Sequence, residues 1–174
     1  AKLDKLEVLN MRISHNFLGH LDAWIQSRTN SLTTMKSVFQ TLRKLKNVKM
    51  FLPAPDYDES LVATLARNNP DLTGLHFMSY PSLSKESVDL LVDSCPGLQE
   101  LTIGFSHSDS KVVDEQLMNL VKKVRQLERL DVFCQNVTDG GIERMVGAAK
   151  NLKYLRVICY ARSRVTNDVV ERLR

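Results

Sequence analysis

Among residues able to do chemistry, His107 stands out first. It lies between Ser106 and Ser108, with Asp109 beside it. A base, a hydroxyl and a carboxylate are the parts of an activated nucleophile, but the parts must meet in space. Neighbours on one loop point apart, so this cluster reads as solvated loop. The other histidines, His15, His20 and His76, have no i, i+4 partner and no cysteine at metal-ligand spacing. No metal or other cofactor is expected. Phosphate-loop and nucleophile-elbow signatures are both missing from the chain. Asn136-Val137-Thr138 matches a glycosylation sequon, although Thr138 is equally explained as a helix cap. These residues point to a binding protein and away from an enzyme.

The elements that must carry a binding surface follow from a short pattern. Leu6-Glu7-Val8-Leu9-Asn10-Met11 recurs as Leu45-Lys46-Asn47-Val48-Lys49-Met50 and as Leu72-Thr73-Gly74-Leu75-His76-Phe77. Three further copies start at Leu98, Leu127 and Leu152. Apolar residues hold positions one, four and six throughout. The copies start 39, 27, 26, 29 and 25 residues apart. A period in the twenties with L-x-x-L-x-L is the leucine-rich repeat signature. The expected fold is an α/β solenoid: a curved parallel sheet on the concave side and helices on the convex side.

Each unit reads as strand, connector, helix and turn. In Leu130-Asp131-Val132-Phe133-Cys134, alternation sends residues 130, 132 and 134 to the core. Thr138 or Asp139 caps a helix burying Ile142 and Met145. Ser84 to Val88 opens another helix. Residues 114–124 form a third, and Asp58 or Ser60 starts one holding Leu61 and Leu65. A last helix starts near Asn167. The first unit, residues 1–44, is elongated. Phe17, Leu21, Trp24 and Ile25 suit one helix there, and Leu32, Met35, Val38, Phe39 and Leu42 a second. Residues 1–174 are read as one domain of about six repeats and as a fragment of a longer protein.

The same alternation selects the residues of the concave face. Lys49, Phe51, His76, Met78, Arg129, Asp131, Phe133, Tyr154, Arg156 and Ile158 are the candidate partner-binding set. Phe51, Met78, Phe133 and Ile158 form an apolar column where solvent is expected, as contact sites do. The protein's own loops are the other candidate cover for that column. Lys49, Arg129, Asp131 and Arg156 either orient a partner or pair across strands. Connectors bearing Tyr57, Tyr80, His107, Tyr160 and Arg162 leave one edge of the sheet and make a second candidate surface.

Composition narrows the partner. The net charge is only +4, from 24 basic and 20 acidic residues. A general polyanion binder carries a larger basic excess. The clusters at Arg43, Lys44, Lys46 and Lys49, and at Lys122, Lys123, Arg125 and Arg129, read as solvated helix ends and repeat rims. Nucleic acid is therefore a weak alternative to a protein partner. No apolar run reaches the roughly 20 residues of a membrane span. Three cysteines without a C-x-x-C pair suggest a reducing compartment, cytoplasmic or nuclear. Cys134 and Cys159 hold equivalent positions on neighbouring repeats. A disulfide and two buried thiols are both open there, and the thiols suit an apolar environment.

Asn136-Val137-Thr138-Asp139-Gly140-Gly141-Ile142, followed by Asn151-Leu152-Lys153-Tyr154-Leu155, resembles the repeat of F-box leucine-rich proteins. Val165-Thr166-Asn167-Asp168-Val169 is a weaker echo. Ser94-Cys95-Pro96-Gly97-Leu98 is similar to their helix-to-strand turn. The resemblance covers most of residues 45–174 and places the chain near the ribonuclease-inhibitor-like superfamily. It implies substrate recognition for an F-box type ubiquitin ligase; a scaffold unconnected with ubiquitin is the alternative. Two departures stand against it. The motif cysteine falls one residue early, at Cys134 and Cys159, and no segment reads as an F-box.

Overall fold

The computed structural model describes residues 5–12, 35–52, 59–79, 83–105, 110–134, 136–159 and 165–166. It is an α/β structure with one sheet of six parallel strands. The strands are β1 (Val8–Arg12), β2 (Asn47–Leu52), β3 (Gly74–Ser79), β4 (Glu100–Phe105), β5 (Arg129–Cys134) and β6 (Tyr154–Cys159). They lie side by side in chain order, so every crossover joins neighbours. Between them run α1 (residues 35–41), α2 (Glu59–Asn68), α3 (Lys85–Ser94), α4 (Ser110–Lys123) and α5 (Asp139–Ala148).

The register restates the sequence period. Val8 faces Asn47, Asn47 faces Gly74, Gly74 faces Glu100, Glu100 faces Arg129, and Arg129 faces Tyr154. Each residue therefore meets its own repeat position on the next strand. Backbone hydrogen bonds repeat with the same rhythm. The carbonyl of Glu7 accepts both Lys46 N–H and Asn47 N–H, at 2.7 and 3.1 Å. Lys46, Thr73, Gln99 and Glu128 carbonyls do the same for the following repeat. All five stand at position two of the pattern. The ladder between β3 and β4 covers three residue pairs and then gives way. There Leu83 N–H donates to the Gly104 carbonyl at 3.0 Å.

Positions one, four and six of the pattern pack against the helices in one core. Leu45, Val48, Leu75, Leu101, Ile103 and Leu130 are all fully or almost fully buried. So are Leu61 and Leu65 of α2, Val88 and Leu91 of α3, Leu117 and Leu120 of α4, and Ile142 and Met145 of α5. Their helical spacing aims one stripe of each helix at the sheet, and each such side chain contributes roughly 1.5–3 kcal/mol. Met35, Phe39 and Leu42 close the core at the elongated first unit. The helix expected near Phe17 to Ile25 and the one expected near Asn167 lie outside the described residues.

The helix starts are tied from one repeat to the next. Ser84 and Thr138 cap α3 and α5 as expected, accepting Ser87 N–H and Gly141 N–H. Each cap is in turn held by an acid of the preceding unit. Glu59 accepts Ser84 N–H at 3.0 Å and the Ser84 and Ser87 hydroxyls at 2.5 Å. Asp114 accepts Thr138 N–H at 3.1 Å and its hydroxyl at 2.5 Å. Asp139 holds Thr166 in the same way, at 2.8 and 2.5 Å. An acid facing a helix N-terminus also complements its dipole. This corrects the expected start of α4: the helix begins at Ser110, and Asp114 serves the next repeat's cap.

Cys95 and Cys134 are buried thiols. Cys134 stands opposite Cys159 in the register of β5 and β6. Cys95 Sγ lies 3.5 Å from the Asn69 carbonyl, and burial pushes its pKa up to about 12.

Candidate functional site

The sheet face turned away from the helices carries the odd positions of the strands. Across it runs one row in strict register: Asn10, Lys49, His76, Thr102, Asp131 and Arg156. Each is position five of its repeat. The row is hydrogen-bonded from β3 to β6. His76 Nδ1 lies 2.9 Å from Thr102 Oγ1, Thr102 Oγ1 lies 3.4 Å from Asp131 Oδ2, and Arg156 Nε donates to Asp131 Oδ1 at 2.7 Å. His76 Nε2 meets Glu100 Oε2 at 3.1 Å, and Arg129 Nε meets Asp131 Oδ2 at 3.3 Å.

Asp131 corrects an expectation. Strand alternation puts it on the open face, and there it sits, but it is only 2% exposed. Arg129 and Arg156 each donate Nε–H to its carboxylate from the guanidinium head. Arg156 pairs with Asp131 across β5 and β6, and Arg129 pairs with it along β5. Lys49 is exposed, and among the described residues it has no ion-pair partner. Tyr154 is 41% exposed. Its ring lies under the Arg129 guanidinium, with Cζ 3.8 Å from the ring centroid. Arg156 Cζ stands 6.0 Å from the Phe133 ring.

The apolar column is visible in part. Phe133 and Ile158 face one another across β5 and β6 and are half-buried. The column breaks at β4, where Gly104 stands opposite Phe133. The side chains of Phe51 and Met78 lie outside the described part of the chain, as do Tyr57, Tyr80, His107, Tyr160 and Arg162. His15 and His20 are outside it too.

Glu100, His76 and Thr102 have the connectivity of an orienting carboxylate, a base and a hydroxyl. Reading along the chain misses this, because the three come from two strands. The sequence signal is that His76 and Thr102 share position five of neighbouring repeats, with Glu100 two residues before Thr102. Thr102 is 2% exposed, however, so its hydroxyl has no approach for an electrophile. The trio works as a cross-strand fastening. Among the described residues, no group of three or more His, Cys, Asp or Glu is arranged to hold a metal. Nor is any helix there long and apolar enough to cross a membrane.

His76 has a lowered pKa, chiefly because burial disfavours the charged ring and then because Lys49 stands near; Glu100 opposes the shift. In the neutral ring the proton sits on Nε2, facing the Glu100 carboxylate, and the single Thr102 hydroxyl hydrogen is shared between His76 Nδ1 and Asp131 Oδ2 as alternative acceptors. A base with a depressed folded pKa stabilises the fold fully above its unfolded value of about 6.5, and that stability falls as pH drops from there through the folded pKa. Urea midpoints measured from pH 7.5 down to 5.5 are expected to fall more steeply for the natural chain than for His76→Gln. Parallel curves would remove this role for His76.

Of the basic clusters, several members are engaged locally. Lys123 Nζ meets Asp93 at 2.7 Å, Lys46 meets Glu7 at 2.9 Å, and Arg43 donates to Asn68 at 3.2 Å. What fold and face define together is an α/β protein with an all-parallel sheet, one side covered by helices and the other presenting a pinned row of polar and aromatic side chains. Neither a scan against protein-family models nor a search of curated proteins finds a match for the chain.

Proposed function

We propose that the chain is a leucine-rich repeat solenoid module that docks a protein partner on the open face of its sheet. The observation that carries this is the five-fold recurrence of one carbonyl accepting two amides of the next repeat. It supports a stack of equivalent units, and such stacks present one continuous surface for binding. Exposed Tyr154 beside Arg129 and half-buried Phe133 beside Ile158 are residue types that anchor interfaces. By the resemblance of residues 45–174, the narrower role is substrate recognition for an F-box type ubiquitin ligase in the cytoplasm or nucleus. The local pairing of Lys46, Lys123 and Arg129 weighs against a nucleic-acid track.

The test compares the natural chain with Phe133→Ser/Ile158→Ser as bait in a cell lysate. The expected result is a set of proteins held by the natural chain and lost from the variant, with both baits melting cooperatively. A set unchanged by the variant would refute docking at this face. Recovery of a ligase adaptor with the parent protein, and ubiquitination of a captured protein, would support the narrower role. A captured set free of ligase components would leave the scaffold reading.

A further inference from the structure

Among the described residues, the only exposed large apolar side chains are Val8 at 61% and Tyr154 at 41%. They stand on the two edge strands of the sheet, β1 and β6, and both hold position three of the repeat. The core thins at the same places. Leu9 of β1 and Leu155 of β6 are half-buried, whereas their counterparts Val48 and Leu130 are fully buried.

The backbone at the two edges is open in a matching way. Inside the sheet, the carbonyl at position two of one repeat accepts the amides at positions two and three of the next. At the β6 edge that carbonyl belongs to Lys153, and at the β1 edge those amides belong to Glu7 and Val8. Among the described residues, none of the three groups has a backbone partner. An open edge is a template for another strand. The side chains at position two select which strand. Glu7 pairs with Lys46 of the next repeat at 2.9 Å, and Glu128 pairs with Lys153 of the next at 2.9 Å. Setting β6 beside β1 of a second copy places Lys153 between two glutamates, which continues that alternation, and puts Arg156 beside the uncharged Asn10. Two β6 edges would instead bring together Lys153 and Arg156 of both copies.

We infer that the chain adds head to tail to a second copy of itself, β6 of one copy pairing in parallel with β1 of the next in the register of the internal junctions. Tyr154 then lies beside Val8 of the next copy, and the two exposed apolar side chains cover each other. Leu155 and Leu9 complete their packing in the same step. Exposed ion pairs contribute little, so apolar contact and backbone bonds hold the junction and charge sets its direction. Such an interface joins two different patches. It does not close after two copies, and it builds an open series. This goes beyond the docking reading, which concerns the open face of the sheet and not its edges.

Sedimentation velocity on the full chain over a wide range of concentration tests this. The expected mass rises with concentration past dimer to trimer and beyond. Val8→Asp and Tyr154→Asp each spoil every junction, because one side of each contact is then the altered one. Either variant should raise the concentration needed for association at least about tenfold, since a carboxylate is buried against an apolar side chain. Mixing the two variants restores one natural junction, Tyr154 of the Val8→Asp copy against Val8 of the Tyr154→Asp copy. The mixture should therefore form a one-to-one dimer and stop there. Both positions are exposed, so both variants should melt as the natural chain does. A natural chain that stays monomeric overturns the inference however the variants fold. So does a dimer that grows no further, association of Val8→Asp alone at natural strength, or a mixture that forms no dimer. None of these outcomes touches the docking face, because Phe133 and Ile158 are unaltered throughout.

Discussion

Gly141→Ala is expected to destabilise the chain by about 2–3 kcal/mol, far beyond the cost of an ordinary Gly-to-Ala change in a helix. Alanine usually improves a helix. Here a Cβ at residue 141 would fall 2.0 Å from Asp114 Oδ1 and 2.2 Å from its Cγ. The carboxylate has little room to retreat. It is buried, and it is held by Thr138 N–H, the Thr138 hydroxyl and Arg144 Nη2. Moving it breaks the fastening between α4 and the start of α5. Asp114→Ala alone loses those charge-assisted bonds, worth about 2 kcal/mol after Arg144 returns to water. The double variant separates the causes. If the clash is the mechanism, Gly141→Ala adds almost nothing once Asp114 is alanine, and the coupling is about 2 kcal/mol. Additive losses in urea unfolding would show that Gly141 matters for another reason.

That pair also marks where sequence reading stops. The strand register was fully readable, because positions one, four and six must be apolar to meet the helices. The period therefore states the pairing before any coordinates do. The helix caps at Ser84 and Thr138 were readable too, since capping is decided within three residues. Glu59 with Ser84, and Asp114 with Thr138, were not. Each bond spans a whole repeat, 25 and 24 residues along the chain. An acid near a helix start looks complete as a local dipole partner, so nothing in the linear pattern asks for a second one. Asp114 accordingly reads, from the sequence, as the start of its own helix.

The candidate site was readable to a similar depth. Alternation named the correct face for His76, Arg129, Asp131, Tyr154 and Arg156. It treated each strand alone, and exposure does not follow from face. Two arginines bonded to a short aspartate go with its burial, whereas Lys49 is exposed. The row His76, Thr102, Asp131, Arg156 emerges only when position five is read across the repeats. Alternation already puts Thr102 and Glu100 on the open face; the reading across repeats adds that the buried Asp131 links Thr102 to Arg156.

Asn69 should prove the most sensitive polar residue in the core. Three residues before each later Leu that opens a repeat, the chain supplies a carbonyl to that Leu's N–H. Asn69 serves Leu72, Cys95 serves Leu98, Val124 serves Leu127 and Ala149 serves Leu152, at 3.2–3.3 Å. The second repeat departs from this. Leu45 N–H instead donates to the Asn69 side chain, Oδ1, at 2.8 Å. Asn69 Nδ2 meanwhile donates to the Leu65 carbonyl at 3.0 Å, and the whole residue is 1% exposed. The elongated first unit thus borrows its missing turn bond from the next repeat. Removing the amide strands the N–H of Leu45, itself fully buried, and frees a helix-end carbonyl. A loss of about 2–4 kcal/mol is expected for Asn69→Ala, and Asn69→Leu should not restore it, because the missing quantity is a hydrogen bond and not volume. Val124→Ala, at the equivalent position with no side-chain bond to make, should cost about 1–2 kcal/mol. Equal losses at the two sites, or rescue by Leu, would place the role of Asn69 in packing alone.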